Sequence, residues 1–338
     1  MSMESPDNHQ NVPARTPESE RALELLRVWR ERTPVILKSS SPIRKNGLIE
    51  KAGFNPDNIR VMVSPDLVEE NVFETTSADS RLAEACAVAK GASPETIPPE
   101  AIVFAFDTLV VWYPECTDPA HPENVESWPG ASIRKPKNIT EAKETTKRLF
   151  LGVLANHANF RVHAKMSGVP EGDNADKREE NSKKDFASGI HAVTSLDVRF
   201  PNSESSENYR DRIIARPQRL YGLIEGMDID TDRITTETVT SWKCGDGGSV
   251  DEALDEIIEK MFKRMKDVGI DPLKICGGVA YSDDGVRELL GITEIADVCP
   301  DGLKSDIPDR SIYSGYPETL VNNVLNRRAF EIATGKKS

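Results

Sequence analysis

The chain has 338 residues, with 43 Lys and Arg against 56 Asp and Glu and a formal charge of −13. That balance excludes wrapping a nucleic-acid polymer, which needs a basic surface, but leaves room for a small anion in a local basic pocket. Hydrophobic residues make up only 38% and mean hydropathy is −0.47, so polar inserts are expected to surround a smaller core.

No run approaches the ~18 apolar residues of a membrane-spanning helix. The opening "MSMESPDNHQNVPARTPESE" has neither the basic nor the apolar region of a secretory leader. Cys86, Cys116, Cys244, Cys276 and Cys299 are scattered and form no CxxC pair, which argues against structural zinc and a disulfide framework. The expectation is a reduced, cytoplasmic protein without a membrane partner.

In chain order, residues 1–18 read as a polar, disordered tail. "ERALELLRVWRER" reads as a helix and "PVILKS" (34–39) as a first strand. In "SSPIRKNGLIEKAGF", Ser41 can cap a helix, Pro42 suits its first position and Gly53 can end it. "SADSRLAEACAVAKGA" predicts a helix with Leu82, Ala83, Cys86 and Ala87 on one face. An apolar strand, "AIVFAFDTLVVWYP", follows, and then a Pro-rich loop.

"KNITEAKETTKRLFLGVL" predicts a helix with Thr140 as candidate cap. Polar insertions are expected at about 113–130, 156–187 and 201–218. Between the last two, "GIHAVTSLDVRF" alternates Ile190, Ala192, Thr194, Leu196, Val198 and Phe200 on one strand face. "RLYGLIEGMDI" and "ITTETVTSW" are further strand candidates. "SVDEALDEIIEKMFKRMKDVG" is a helix with a Ser249/Glu252 capping box, and "GYPETLVNNVLNRRAFEIATG" ends in another. Helix–strand alternation followed by adjacent strands indicates a mixed α/β sheet. One domain is expected over 19–330, followed by a short tail, 331–338.

Three stretches could carry chemistry. At "KSSSPIRK", a helix N-terminus offers free amide donors surrounded by Ser39, Ser40, Ser41, Arg44 and Lys45. These groups suit phosphate, although a Ser-rich turn with ordinary caps explains them equally well. Asp107 lies within the apolar strand; it serves a cleft or faces water from a sheet edge, and the residues alone leave both open. Lys135, before Pro136 in "RKPKNITEA", is a positioned cation or an ordinary solvated lysine. His157, His163 and His191 follow no metal-ligand or triad spacing.

Taken in order, these elements resemble the Maf family, septum-formation-inhibitor-like nucleoside triphosphate pyrophosphatases. The resemblance rests on "SSSPIRK", the Val68-Glu69-Glu70 acid pair, "AFDTLV", "RKPKNITEA", "SGIHAVTS" and "GYPETL" over residues 34–325. It implies an elongated mixed α/β sheet with flanking helices and a cleft between two lobes. It also implies hydrolysis of the α–β bond of a nucleoside triphosphate with a divalent cation (Mg or Mn), and a homodimer as an assembly to expect.

Carried over by position, Ser39, Ser41 and Arg44 would hold phosphate, with Lys45 beside them. Glu69 and Asp107 would lie at the metal, Asp107 also acting on the attacking water, and Lys135 would neutralise phosphate charge. The chain departs from the family pattern at Ile43, Cys86 and Ser282, with Lys45 and Lys90 the cations nearest the first two. A catalytically weakened relative that binds nucleotide or a protein partner is the alternative the same residues allow.

Overall fold

The computed structural model describes residues 16–39, 41–63, 82–92, 97–113, 117, 120, 131–133, 135–166, 188–229, 234–245, 247–280, 283–292, 295–298 and 317–336. Helix α1 (Pro17–Glu31) starts where Thr16 accepts the N–H of Ser19 and Pro17 presets the first turn. The tail expected to reach residue 18 therefore ends sooner. Strand β1 (Val35–Lys38) leads through Ser39 into α2 (Pro42–Glu50), whose cap is Ser41, as its sequence indicates. A short strand β2 (Ile59–Val61), helix α3 (Leu82–Gly91) and the long strand β3 (Ile102–Trp112) follow.

Strand β4 (Ala131–Ile133) precedes α4 (Ile139–Met166), which is much longer than the sequence suggests. Residues 156–166, read as the start of an insertion, complete this helix. Its polar-looking end is anchored by Ala158 and Phe160, both buried. Asn156 and Asn159 add side-chain bonds to the carbonyls of Tyr113 and Ile234. The remainder of that expected insertion, 167–187, lies outside the described residues. Asn138, not Thr140, caps α4: its Oδ1 accepts the N–H of Glu141 at 2.9 Å.

Strands β5 (Ile190–Arg199) and β6 (Glu207–Ala215) form an antiparallel hairpin with Val198 opposite Glu207. Half of the expected insertion at 201–218 is thus a sheet strand. Its polar letters read as loop, yet β5 supplies a pairing partner; in the turn between them Asn202 takes φ 59°, a conformation that Asn tolerates.

The two later strand candidates are short helices, α5 (Gln218–Gly222) and α6 (Thr236–Thr240). In α6 a reciprocal Thr235/Thr238 capping box outweighs the β-branched composition. Helix α7 (Val250–Asp267) has the expected Ser249/Glu252 box and buries Leu254, Ile258, Met261 and Met265 along one stripe. Helix α8 (Asp284–Leu290), strand β7 (Ile295–Val298) and α9 (Pro317–Thr334) complete the order. Helix α9 runs to Thr334 and buries Ala333, so half of the tail expected over 331–338 is helix.

The mixed sheet runs β2-β1-β3-β5-β6-β7, with β4 also paired to β3. The β1–β2 and β1–β3 pairs are parallel; the remaining pairs are antiparallel. Two cores share the long strands. One joins Leu26, Trp29, Leu37, Phe104, Phe106, Leu196 and Val198 to Val321 and Leu325 of α9. The other joins Leu109 and Val193 to α3, α4 and α7 through Cys86, Phe150, Leu254 and Met261. Strand β5 is buried on both faces, not one, because helices cover the sheet on each side.

One contact tests the second core. A Cβ on Gly152 of α4 would lie 2.4 Å from Trp112 Nε1 and 3.0 Å from its Cδ1. Gly152→Ala should therefore cost about 1–3 kcal/mol by overpacking. At Gly245 a Cβ meets nothing within 4 Å, so Gly245→Ala should stay within about 0.5 kcal/mol of wild type in the same urea titration.

Candidate functional site

The centre of the sheet contains a gap. On one edge of β3, β1 pairs with residues 102–105 and β4 with residues 110–112. Between them, residues 106–109 meet no strand on that edge among the described residues, while β5 covers the other edge from 103 to 111. The carbonyl of Phe106, left without a ladder partner there, is taken by side chains. Arg44 Nη1 donates to it at 3.1 Å and Lys90 Nζ at 3.3 Å. Such a gap, beside the carboxyl end of a parallel strand, is where open α/β sheets place ligands.

Asp107 is neither stranded nor solvated. Lys90, from the last turn of α3, donates to its Oδ1 at 2.6 Å, and both side chains are buried. Neither charge could be buried alone at tolerable cost; together they neutralise each other, and the Phe106 carbonyl takes a second Lys90 donor. Cys86, where the family resemblance places a lysine, lies one helical turn earlier and is packed in the apolar core. The cation reaches Asp107 from the next turn of the same helix. Sequence reasoning noted Lys90 only as a nearby charge; its spacing from Cys86 was the available signal.

Arg44 and Asp107 approach the gap from opposite faces, because alternate residues of β3 point to opposite sides. Arg44 lies over the Phe106 ring with its guanidinium carbon 5.5 Å from the ring centroid. Its Nη1 also donates to Ser39 Oγ at 3.1 Å and its Nη2 to Thr108 Oγ1 at 3.0 Å. Thr108 shares a further hydroxyl contact with Thr194 of β5 at 3.0 Å. Ser41 Oγ accepts the Arg44 N–H at 3.4 Å as the cap of α2, and Ser39 Oγ accepts the Ser41 N–H at 3.3 Å. Ser39, Ser41 and Arg44 are therefore brought together, and in this conformation they bond to one another and to β3.

Lys45 is exposed on the first turn of α2. Lys135 is also exposed, two residues beyond Ile133, which pairs with Val110 in antiparallel register. Glu69 and Ser282 lie outside the described residues, as does the side chain of Ile43. Among the described residues no group of three His, Cys, Asp or Glu side chains is placed to share a metal ion. Asp107 does not fit the metal-ligand role in this geometry. Its Oδ1 is occupied by an ammonium, which would repel a dication.

The Asp107 face of the sheet carries more charge than the sequence alone reveals. Lys38, opposite Ala105, is buried, and Asp197 lies on the other side of Ala105. Burial pushes the Asp197 carboxyl up to about 6, against the opposing influence of Ser206, Asn208 and Arg199. In the other core, burial and the neighbouring Arg161 charge push His157 down to about 4, where it stacks on Tyr221 at 4.1 Å. Neither group was singled out for chemistry by sequence, since alternation placed Asp197 on the face presumed exposed.

Both assignments can be tested by unfolding. Removing one partner of the central pair, by Lys90→Met or Asp107→Leu, should cost about 3–5 kcal/mol, and the double variant should recover much of that loss. The two titrating groups should pull stability in opposite directions. Asp197 binds its proton more tightly folded than unfolded, so its contribution is present at low pH and lost as pH rises through about 6. His157 binds its proton less tightly when folded, so its contribution is present above its ordinary 6.5 and lost as pH falls through about 4. Urea titrations from pH 4 to 7 should show Asp197→Asn gaining stability with pH relative to wild type, and His157→Gln losing it.

No protein-family model matches this chain, and no curated protein matches it significantly.

Proposed function

We propose that the protein is a nucleoside triphosphate pyrophosphatase, cleaving the α–β anhydride to leave nucleoside monophosphate and pyrophosphate. The observation that supports this reading most is the Lys90–Asp107 pair, 2.6 Å apart, at the gap in the sheet with Arg44 on the same carbonyl. It places an acid and two cations around one opening, together with the hydroxyls of Ser39 and Thr108. Enzymes that hydrolyse phosphoanhydrides need such a set, because the anhydride carries several negative charges and water is a poor nucleophile.

In the proposed reaction, a water oxygen attacks the α-phosphorus and Asp107 accepts its proton. The bond to the α–β bridging oxygen breaks, and pyrophosphate leaves with the electron pair. Lys90 fixes the Asp107 carboxylate and stabilises charge on the phosphoryl oxygens. Arg44 would exchange its hydrogen bonds to Thr108 and Ser39 for phosphate oxygens. Lys135 and Lys45, both exposed, would guide the substrate in. A fold with a cleft between two lobes and a homodimer belong to the same proposal. Asp107 already holds a cation of its own, Lys90, so no metal ion is assigned to it in this reaction.

The test is release of pyrophosphate from a panel of standard and modified nucleoside triphosphates, with and without Mg²⁺ or Mn²⁺. Wild type should release it; Asp107→Asn and Lys90→Met, checked for folding by circular dichroism, should lose about 10²–10⁴ in kcat. Equal release by wild type and Asp107→Asn would overturn the catalytic role. Triphosphate binding without release would favour the weakened, binding-only relative, a reading supported by the fully engaged Arg44.

A further inference from the structure

Away from the gap in the sheet, a cleft of about 410 Å³ opens between helices α1 and α9 and the turn that joins β5 to β6. Leu25 of α1, Ile332 of α9 and Pro201 of the turn supply apolar walls. Trp29 and Phe200, both buried, form the floor, with ring centroids 5.3 Å apart. Arg328 of α9 also lines the cleft, its guanidinium carbon 5.6 Å from the centroid of the Phe200 ring. A cation lying on an aromatic floor among apolar walls suits an anionic group attached to a hydrocarbon body.

Arg328 is anchored at one nitrogen and unsatisfied at the others. Its Nη1 pairs with Glu207 Oε1 at 3.4 Å and with Glu331 Oε2 at 3.3 Å. Both carboxylates have further donors. The Tyr209 hydroxyl donates to Glu207 Oε2, and Arg327 Nε donates to Glu331 Oε1 at 3.2 Å. Two arginines and two glutamates thus balance in charge, and the acids orient the Arg328 guanidinium without using all its donors. Its Nε is buried without a hydrogen-bond partner, and Nη2, on the same edge of the planar group, has none among the described residues. A buried donor without an acceptor is rare in a folded protein. The Nε/Nη2 edge is also a fork that fits a carboxylate with two parallel bonds. Glu204, the acid on the turn, is exposed, so solvent and salt screen its charge.

We propose that this cleft binds a small organic carboxylate, its carboxyl group taken by the open edge of Arg328 and its hydrocarbon body laid against Leu25, Trp29 and Ile332. A carboxylate suits the site better than a phosphate. Its planar group can lie in the plane of the guanidinium, and the apolar walls reward a hydrocarbon body but not a strongly hydrated dianion. The cleft is separate from the gap in the sheet. Phe200 follows the end of β5, whereas the residue opposite Asp107 is Ser195, within that strand. The inference therefore does not rest on the nucleotide reading.

The experiment is calorimetric titration of the full chain with phenylbutyrate and octanoate, and with phenylbutanamide as the neutral counterpart of the first. Wild type should bind both acids, and the amide about tenfold or more weakly than phenylbutyrate. Arg328→Met should weaken phenylbutyrate by about the same factor, and Arg328→Lys, which keeps the charge but not the fork, should fall between. Ile332→Trp, which fills the cleft from its exposed wall without touching the charge, should abolish binding. Lys260→Met, an exposed control on α7, should match wild type. No binding of either acid by wild type, or wild-type affinity in Arg328→Met, overturns the site. Equal binding of acid and amide overturns the carboxylate as its ligand. Should Arg328→Met unfold, Ile332→Trp decides, and wild-type affinity there overturns the site. Pyrophosphate release from triphosphates should be unchanged in Arg328→Met, so loss of either activity leaves the other reading standing.

Discussion

Lys90 and Asp107 can be buried only together. A lone ammonium or carboxylate at that depth would cost several kcal/mol, whereas the pair, bonded at 2.6 Å and joined to the Phe106 carbonyl, satisfies both. The pairing fixes more than two side chains. It sets the axial position of α3 against β3, because Lys90 is in the last turn of that helix. Gly91 must then pass directly over Asp197, leaving no room for a Cβ. The placement of the helix and its close approach to the buried acid of β5 go with one ion pair.

The opening beside β3 exists because that strand is longer than its partners on one edge. With eleven residues it accommodates β1 at its start and β4 at its end, leaving four residues between them. Strand β5 runs unbroken along the opposite edge, so the interruption weakens the sheet on one side only. The same two long strands serve both hydrophobic cores. Phe104, Phe106, Leu196 and Val198 belong to the first and Leu109 and Val193 to the second. The polar gap is therefore held between two packed regions.

Arg44 illustrates how the loop after β1 is prepared. Its cation spans Ser39, Phe106 and Thr108 and lies over an aromatic ring, so the loop is ordered by the group expected to meet phosphate. Opposite faces of β3 thus carry Arg44 on one side and, on the other, the Lys90–Asp107 pair with Lys38, Asp197 and Arg199. Arg44 and Lys90 meet at a single backbone carbonyl.

Much of this was legible in the chain. Ser41–Pro42 marks the start of α2, Ser249 and Glu252 mark that of α7, and the apolar run around Asp107 marks β3, because caps and hydrophobic periodicity act over a few residues. Asp107 stands out for the same local reason. Where tertiary contacts decide, local reading failed: α4 extends to Met166 because Ala158 and Phe160 find a core, and Glu207–Ala215 is a strand because β5 lies beside it. Thr236–Thr240 is a helix because two threonines cap each other, against the preference of its β-branched residues. By itself the sequence determined the acid in an apolar strand, the Ser/Arg turn and the mixed α/β class. Only the tertiary structure decided that Lys90 is the partner of Asp107 and that Lys38, Asp197 and Arg199 share its face. Strand register and helix placement bring distant residues together, and no local pattern encodes either.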